Sequence, residues 1–389
     1  MAAREKARVY LDYNASAPLR PEARQAILAA LDEMGNPSSV HREGREARRI
    51  VEEARREVGE LVGASPRCVT FVSGGTEAAV TALNPWFGAG LSGRPLERLI
   101  VSGGEHPCVL NGHRFPATAV EMAPLTGQGL IDLAWLADAC ARPGRILLAL
   151  QGANNETGAV QPLAEAAALV HAAGGYVFCD AVQLAGRVIC DMSALGADAV
   201  SLSAHKIGGP KGVGALATAR PTLSLGEPLV HGGGQERGAR AGTENVAAIA
   251  GFGAAARASR SALESEAPRL RALADRLVDA VIKTSPGAVV FARDAPRAPN
   301  TVCFAVPGLD AATLMIALDL AGVAVSSGSA CSSGKVAPSH VLAAMGVEPG
   351  LARGAIRLSV GWASAPEDVA RFEEAFAATI TRIRRRGAV

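Results

Sequence analysis

The chain has 389 residues, of which 49% are hydrophobic and 20% are charged, which excludes a mainly disordered protein. Its length predicts two or three domains, or one large α/β domain with an appendage. The chain has 39 Lys and Arg residues and 37 Asp and Glu residues, so its net charge is +2. This charge is too small to create an electrostatic field that would attract nucleic acid.

Short apolar runs alternate with amphipathic runs between about residues 66 and 218. The predicted strands cover residues 68–72, 99–101, 120–122, 146–150, 176–179, 199–202 and 214–217. Helical patterns such as residues 132–140 and 162–173 separate most of them. Since the strands are apolar on both faces, we expect an α/β fold with a mostly parallel seven-stranded sheet covered by helices on both sides.

A long helical pattern over residues 244–282 leads to a second, smaller α/β unit. Its predicted strands are residues 289–292, 301–306, 323–326 and 356–360, and its predicted helices are residues 311–320, 339–344 and 366–385. The segment 326–338 is dense in Gly, Ser and Pro, which predicts a mobile loop inside this unit.

The cysteines number seven and form no C-x-x-C pair, so neither a disulfide framework nor a zinc ribbon fits their spacing. The N-terminal residues carry no apolar stretch of the signal-peptide type, and no apolar run is long enough to span a membrane. We therefore expect a protein of the reducing cytoplasm with no membrane partner.

The run 73–79 (SGGTEAA) follows a predicted strand and begins a predicted helix. Small residues let backbone N–H groups approach an anion, and the helix dipole favours negative charge there, which predicts a phosphate site. A glycine turn with Thr76 as a helix cap explains the same letters, so both interpretations remain open for this run alone. Residues 212–217 match the G-x-G-x-x-A pattern, but they lie within a strand and predict no dinucleotide site.

Two further strands end in polar residues. Asp180 ends one strand, and Ser203, His205 and Lys206 follow the next, before a Gly-rich stretch. A desolvated lysine can form a Schiff base with a carbonyl, whereas an isolated lysine is usually a surface charge. Together with the phosphate run, these residues supply the parts that pyridoxal phosphate needs: a lysine, a carboxylate and an anion cradle.

Several runs then resemble the cysteine desulfurases, which are fold-type I, class V aminotransferase-like enzymes that use pyridoxal phosphate. The runs are residues 10–18 (YLDYNASAP), 35–41 (GNPSSVH), 73–78 (SGGTEA), 105–107 (EHP), 154–158 (NNETG), 180–183 (DAVQ), 204–206 (AHK), 209–212 (GPKG), 232–238 (GGGQERG) and 241–245 (AGTEN). The resemblance extends from about Val9 to the C-terminal helix. Its most specific element is the run 326–334 (SSGSACSSG), which contains Cys331.

The resemblance implies a set of residues that hold pyridoxal phosphate: Gly75, Thr76, His106, Asn155, Asp180, Gln183, Ser203, His205, Lys206 and Thr243. Lys206 would carry the cofactor, Asp180 would pair with its ring nitrogen, and His106 would stack on the ring. Thr243 would reach the phosphate from the partner subunit of a homodimer. Asn155 and Arg357 would bind the substrate, Arg357 through the carboxylate, for which a planar guanidinium is suited.

The activity implied is the conversion of L-cysteine to L-alanine, with sulfur transferred to Cys331 as a persulfide. Cys331, Lys206 and His106 would be the catalytic residues. The partner would be a sulfur-acceptor or iron–sulfur scaffold protein, and the only metal contact implied is Cys331 as a transient iron–sulfur ligand. We expect a large domain over residues 15–260 and a small domain of residues 1–14 and 261–389.

Two other functions remain open at this point. One is a selenocysteine lyase or a cysteine sulfinate desulfinase, which would use the same cofactor machinery. The other is a silent scaffold that keeps the fold, although Lys206, Asp180 and the phosphate run are all present. The runs 153–158 and 241–245 resemble the nitrogen-fixation branch of the family, while the pathway served stays open between nitrogenase, housekeeping clusters and tRNA thiolation.

Overall fold

The computed structural model describes residues 8–88, 93–328 and 338–386. Its strands are β1 (Val9–Tyr10), β2 (Val69–Val72), β3 (Arg98–Ser102), β4 (Val120–Ala123), β5 (Ile146–Gln151), β6 (Tyr176–Asp180), β7 (Ala199–Ser203), β8 (Gly214–Thr218), β9 (Val289–Val290), β10 (Thr301–Ala305), β11 (Val323–Ala324), β12 (Ser326–Ser327) and β13 (Ala355–Ser359). Its helices are α1 (Pro21–Leu31), α2 (Arg42–Leu61), α3 (Gly75–Ala82), α4 (Pro107–Leu110), α5 (Leu133–Cys140), α6 (Leu163–Ala172), α7 (Met192–Leu195), α8 (Val246–Thr284), α9 (Ala311–Leu320), α10 (His340–Ala344), α11 (Pro349–Arg353) and α12 (Pro366–Arg386).

A seven-stranded sheet forms the centre of the larger unit, in the order β2-β8-β7-β6-β5-β3-β4. Only β8 runs against its neighbours, β2 and β7, while the remaining pairs are parallel. Along β5, Leu148 and Leu150 join the hydrophobic core on one face, and Leu147 and Ala149 join the core on the other. Because successive strand residues point to opposite faces, apolar runs are required here. The predicted α/β class and mostly parallel seven-stranded sheet are confirmed.

The six strands β2–β7 share one direction and end at one edge of this sheet, because strands of the same direction place their carboxyl ends together. β5 ends at Gln151, β6 at Asp180 and β7 at Ser203, and β2 ends at Val72 just before the turn that begins α3. This edge is where ligands bind in open α/β sheets. The polar residues predicted from the ends of separate strands therefore converge in space.

The smaller unit contains an antiparallel sheet in the order β12-β13-β10-β9 and a parallel pair formed by β1 and β11. Its core includes Phe304, Phe372 and Phe376, whose rings pack edge-on or stacked at 5.4–5.7 Å between centroids. Helix α8 begins against α1 and α2 and ends against α12. The predicted boundary between residues 260 and 261 falls inside this helix, and the division into domains stays a prediction.

Two parts of the sequence prediction need correction. The single strand predicted over residues 323–326 is two strands, because β11 pairs with β1 while β12 pairs with β13 in another sheet. Helices α1 and α2 were not predicted, although α2 buries Ala47, Val51, Ala54 and Val58 at helical spacing. The many charges of the exposed face of α2 obscure that pattern.

Among the residues that the structure describes, no helix has both the length and the apolar character needed to cross a bilayer.

Candidate active site

A cavity of about 530 Å³ lies at the carboxyl edge of the seven-stranded sheet. It collects most of the residues that the sequence pointed to: Gly75, Thr76, His106, Asn155, Asp180, Gln183, Ser203, His205, Lys206 and Arg357. Thr243 does not line it, and Cys331 lies outside the described residues. The cavity therefore joins side chains from both units, since Arg357 comes from β13.

Lys206 reaches the cavity from the short helical turn that directly follows β7. Its Nζ donates hydrogen bonds to the backbone oxygens of Asn14, at 2.5 Å, and Ala15, at 3.0 Å. The Asn14 side chain is itself held by Thr301 Oγ1 at 2.9 Å. In the sequence, residues 10–18 contribute only to the resemblance, and no local signal indicates that their backbone fixes the lysine.

Asp180 ends β6 with its carboxylate in the cavity. Its Oδ1 accepts hydrogen bonds from the Val182 N–H at 3.0 Å and from the Ser201 hydroxyl at 3.1 Å. Gln183, in the turn that follows, donates from Nε2 to the Asn14 oxygen at 2.9 Å. Its buried Oε1 has no hydrogen-bond partner within the described residues, so it offers an acceptor to a ligand donor.

His106 caps the short helix α4 and lines the same cavity. Its Nδ1 accepts the N–H of Cys108 at 3.2 Å, so the proton of the neutral ring lies on Nε2. Burial lowers the pKa of His106, and the charges of Lys206 and His340 act in the same direction, against Asp180. A neutral imidazole with one free N–H can stack on an aromatic ring and exchange a proton.

One end of the cavity is suited to an anion. Here residues 74–76 at the start of α3 line the wall together with Ser203, His205 and Lys211. The first N–H groups of a helix have no partner inside the helix and can bind an anion. Burial lowers the pKa of His205 to about 4, with further lowering by the positive charges of Lys206, Lys211 and Arg187. The same positive charges would attract a phosphate group to this end of the cavity.

Gly214 gives this anion site its room and was not recognised in the sequence. A Cβ at this position would lie 2.5 Å from the Leu202 oxygen and 2.7 Å from the Gly74 Cα. Since both are backbone atoms, neither can turn aside. The glycine at the start of β8 therefore allows the strand to pass directly beneath the turn that begins α3. Residues 212–217 do form a strand over most of their length, as the sequence predicted.

Arg357 projects from β13 with a side chain that is only 2% exposed. Its Nη2 pairs with Asp12 Oδ1 at 2.8 Å, and its Nη1 donates to the backbone oxygen of Asn155 at 3.0 Å. The buried Nε has no partner within the described residues. These contacts fix the plane of the guanidinium and leave a donor available to a carboxylate.

Two groups beside the cavity, one buried and one half-buried, were given no role from the sequence. Glu105 is fully buried, its Oε1 accepts the Gln151 N–H at 2.6 Å, and burial together with the Asp180 charge raises its pKa. Cys108 lines the cavity, and burial raises the pKa of its thiol, against a smaller opposite effect of the Thr76 side chain. A thiol held in its protonated form is a weak nucleophile, so Cys108 is unsuited to attack.

Thr243 is exposed and lines a neighbouring cavity of about 220 Å³. Ser73 and Gly212 line both cavities, so Thr243 lies close to the anion end without reaching it in its own chain. Its predicted contribution to a partner subunit stays a prediction. In the part of the chain that the structure describes, no group of three His, Cys, Asp or Glu residues is arranged to hold a metal ion.

Comparison with known proteins agrees with this geometry. The family model described as aminotransferase class-V matches residues 9–372. The chain is 43% identical over 367 residues to a cysteine desulfurase of Cereibacter sphaeroides, with 92% of each chain covered. It is 41% identical over 395 residues to a cysteine desulfurase of Frankia sp., covering 97% of this chain and 92% of that one. A solved NifS-like protein from Rickettsia africae matches with a TM-score of 0.87 and 32% identity, over 96% of this chain and 99% of that one. The chain therefore belongs to the cysteine desulfurase family of class V aminotransferases.

Proposed function

We propose that the chain is a pyridoxal-phosphate-dependent cysteine desulfurase, which converts L-cysteine to L-alanine and passes the sulfur to Cys331 as a persulfide. The observation that carries the proposal is the single cavity that brings Lys206, Asp180 and Arg357 together. A lysine, a carboxylate and a carboxylate-binding arginine are what an amino acid and this cofactor require. Membership of the family favours L-cysteine as the substrate, since relatives at 41–43% identity are cysteine desulfurases.

The residues of the cavity fit pyridoxal phosphate. Lys206 would bond its carbonyl carbon, Asp180 its ring nitrogen, and the unpartnered Oε1 of Gln183 would accept its ring hydroxyl. Its phosphate would be held at the cationic end by Gly75, Thr76, Ser203 and His205, with Thr243 supplied by the partner subunit. When bound, the cofactor supplies a carbonyl for the amino group and an electron sink for charge that develops at the substrate Cα.

The chain's own residues would perform the remaining steps. Arg357 and Asn155 would bind the substrate, Arg357 through its carboxylate, so that the Cα–H is directed towards the amine of Lys206. That amine would take the proton from Cα, and His106 would stack on the ring and pass a proton through Nε2. Each of these groups lines the same cavity, so no large rearrangement of the described residues is needed.

Cys331 would act as the nucleophile towards sulfur, as the thiolate. A bond would form between Cys331 Sγ and the substrate sulfur. The bond between that sulfur and the substrate Cβ would break at the same time, and its electron pair would stay with the substrate carbon skeleton. The persulfide would then pass to a sulfur-acceptor or iron–sulfur scaffold protein. We also propose that the chain forms a homodimer in the reducing cytoplasm and that its large domain covers residues 15–260.

The test is reductive trapping of the cofactor with borohydride, followed by assay of alanine from L-cysteine. We expect the parent and Lys283→Ala, which removes an exposed lysine at the end of α8, to trap cofactor and to form alanine. Lys206→Ala should do neither while remaining folded. Trapping in Lys206→Ala would disprove the assignment of the lysine. Faster turnover of L-selenocysteine than L-cysteine in the parent would instead favour the selenocysteine lyase.

A further inference from the structure

Glu156 is a buried carboxyl group that the proposed reaction does not use. It is 3% exposed and does not line the cavity, although the neighbouring Asn155 does. Its backbone is fixed, because the Glu156 N–H donates to Asn154 Oδ1 at 2.9 Å within the turn 154–158. Burial of a carboxyl group is costly unless it is hydrogen-bonded, so its contacts require an explanation.

The Glu156 side chain bonds a residue that is 183 positions away. Ser339 Oγ donates a hydrogen bond to Glu156 Oε2 at 2.5 Å. Ser339 Oγ also accepts the Leu342 N–H at 3.1 Å, and through this bond Ser339 caps α10. Ser339 is 2% exposed. Without Glu156, its hydroxyl donor would be left buried and unsatisfied in this position.

Glu156 also lies close to Gly328, on the other side of the segment 329–337. A Cβ at Gly328 would lie 3.1 Å from Glu156 Oε2 and 3.8 Å from the Ser339 Cβ. Gly328 is bonded there through its N–H, which donates to the Ala355 oxygen at 3.1 Å beside β13. Glu156 Oε2 thus accepts the Ser339 hydroxyl on one side of the segment and lies beside the backbone of Gly328 on the other.

We propose that Glu156 is a positioning residue that holds Gly328 and Ser339 together and so fixes both ends of the segment that carries Cys331. This inference rests on the proposed role of Cys331 as the nucleophile. Cys331 follows Gly328 by three residues, and three residues of chain span at most roughly 10 Å. The place at which Gly328 is held therefore limits how far the thiol can be from the substrate.

The position of Glu156 also connects this anchor to the substrate site. Burial raises the pKa of Glu156 to about 7, while the Ser339 hydrogen bond and the Arg357 charge oppose that rise. Arg357 in turn bonds the oxygen of Asn155, the residue before Glu156. One turn of the chain thus contacts both the arginine that binds the substrate and the base of the segment that bears the nucleophile.

The first experiment separates substrate binding from sulfur transfer in the cofactor-loaded enzyme. In Glu156→Ala we expect kcat for alanine formation to fall about tenfold or more, because a buried hydrogen bond is lost and its donor left unpaired. The Kd of L-cysteine, read from cofactor absorbance, should stay within about twofold, since Arg357 keeps its partners. Glu156→Gln, which retains an oxygen acceptor for Ser339, should restore most of kcat. Equal loss of kcat and substrate affinity, or no loss in Glu156→Ala, would overturn the proposal.

A second measurement does not depend on activity. Hydrogen–deuterium exchange at the Gly328 and Leu342 amides should be about tenfold faster in Glu156→Ala than in the parent. At the Gly328 amide Ser339→Ala should have the same effect and the double variant should add little, because both remove the Ser339–Glu156 hydrogen bond. At the Leu342 amide Ser339→Ala should have the larger effect, because it also removes the acceptor of that N–H. Asp310→Ala, which removes a comparable cap from α9, should leave these amides unchanged. Unchanged exchange in Glu156→Ala refutes the anchor, whereas a parent that forms no alanine refutes only the proposed function.

Discussion

Arg55 of α2 and Glu236, in the turn that precedes Thr243, form a buried ion pair. The pair lies against β2, the strand that leads to the anion site. The guanidinium meets the carboxylate through two contacts, Nη1 to Oε2 at 2.6 Å and Nη2 to Oε1 at 2.9 Å. Glu236 Oε2 also accepts the Phe71 N–H at 2.9 Å, and Arg55 lies 4.9 Å above the Phe71 ring. Both side chains are at most 4% exposed, so water cannot replace a lost partner.

Glu236→Gln keeps the shape of the side chain and removes its charge. The Arg55 guanidinium would then keep one counter-charge, the exposed Glu52, whose Oε1 lies 3.1 Å from its Nε. We therefore expect a loss of about 3 kcal/mol in the free energy of unfolding, at the lower end of the cost of breaking a buried ion pair. Arg55→Met combined with Glu236→Gln removes both charges and should recover more than half of that loss. The pair is thus expected to show strong coupling in a double-mutant cycle.

The assay is urea unfolding of the parent, the two single variants and the double variant at one protein concentration, because dimer formation would add a concentration-dependent contribution. A loss below about 1 kcal/mol in Glu236→Gln would show that water or another group compensates the arginine. Additive losses in the double variant would equally refute the coupling inferred from the geometry.

Three further predictions concern the site. Arg357→Lys loses the planar guanidinium, so the Kd of L-cysteine should rise about tenfold or more while cofactor absorbance is kept; an unchanged Kd would place the carboxylate elsewhere. Gly214→Ala should weaken cofactor binding about tenfold in an absorbance titration, whereas Gly127→Ala, with nothing within 4 Å of its Cβ, should not. The pKa of Glu156 is about 7 in the folded chain, above its ordinary value of 4.5, so folding favours the protonated form. The unfolding free energy of the parent relative to Glu156→Gln should therefore fall by about 2.5 kcal/mol as pH rises from about 5 to about 8, and a flat difference would contradict the assignment.

Much of the larger unit could be predicted because the apolar pattern of each strand agrees with the position of that strand in the sheet. Strands such as β5 and β6 are buried on both faces, and this environment produces the continuous apolar runs from which they were read. The same logic located Asp180 and Lys206, since polar residues that directly follow buried strands must collect at one edge of a parallel sheet. The seven-stranded sheet, Asp180 and Lys206 could therefore be predicted from pattern and position, whereas Asn155, Gln183 and Arg357 were predicted only through the resemblance to the family.

Other features depend on contacts between distant parts of the chain. Glu156 and Ser339 are far apart in sequence, and neither has a local pattern that predicts their hydrogen bond. Gly214 looks like any strand glycine until Gly74 is seen to pass against it. The division of residues 323–327 between two sheets follows from the partners β1 and β13, which local propensity does not encode.

The central claim, that Cys331 receives the sulfur of L-cysteine, is tested most directly by a single-turnover experiment on Cys331→Ser loaded with pyridoxal phosphate. L-cysteine should bind with the parent's absorbance change, because Lys206 and Arg357 are intact, yet alanine and protein-bound, reductant-labile sulfur should fall about a hundredfold or more. Cys140→Ser, which alters a half-buried cysteine at the end of α5, should behave as the parent. Alanine released by Cys331→Ser at close to the parent's rate would contradict the account.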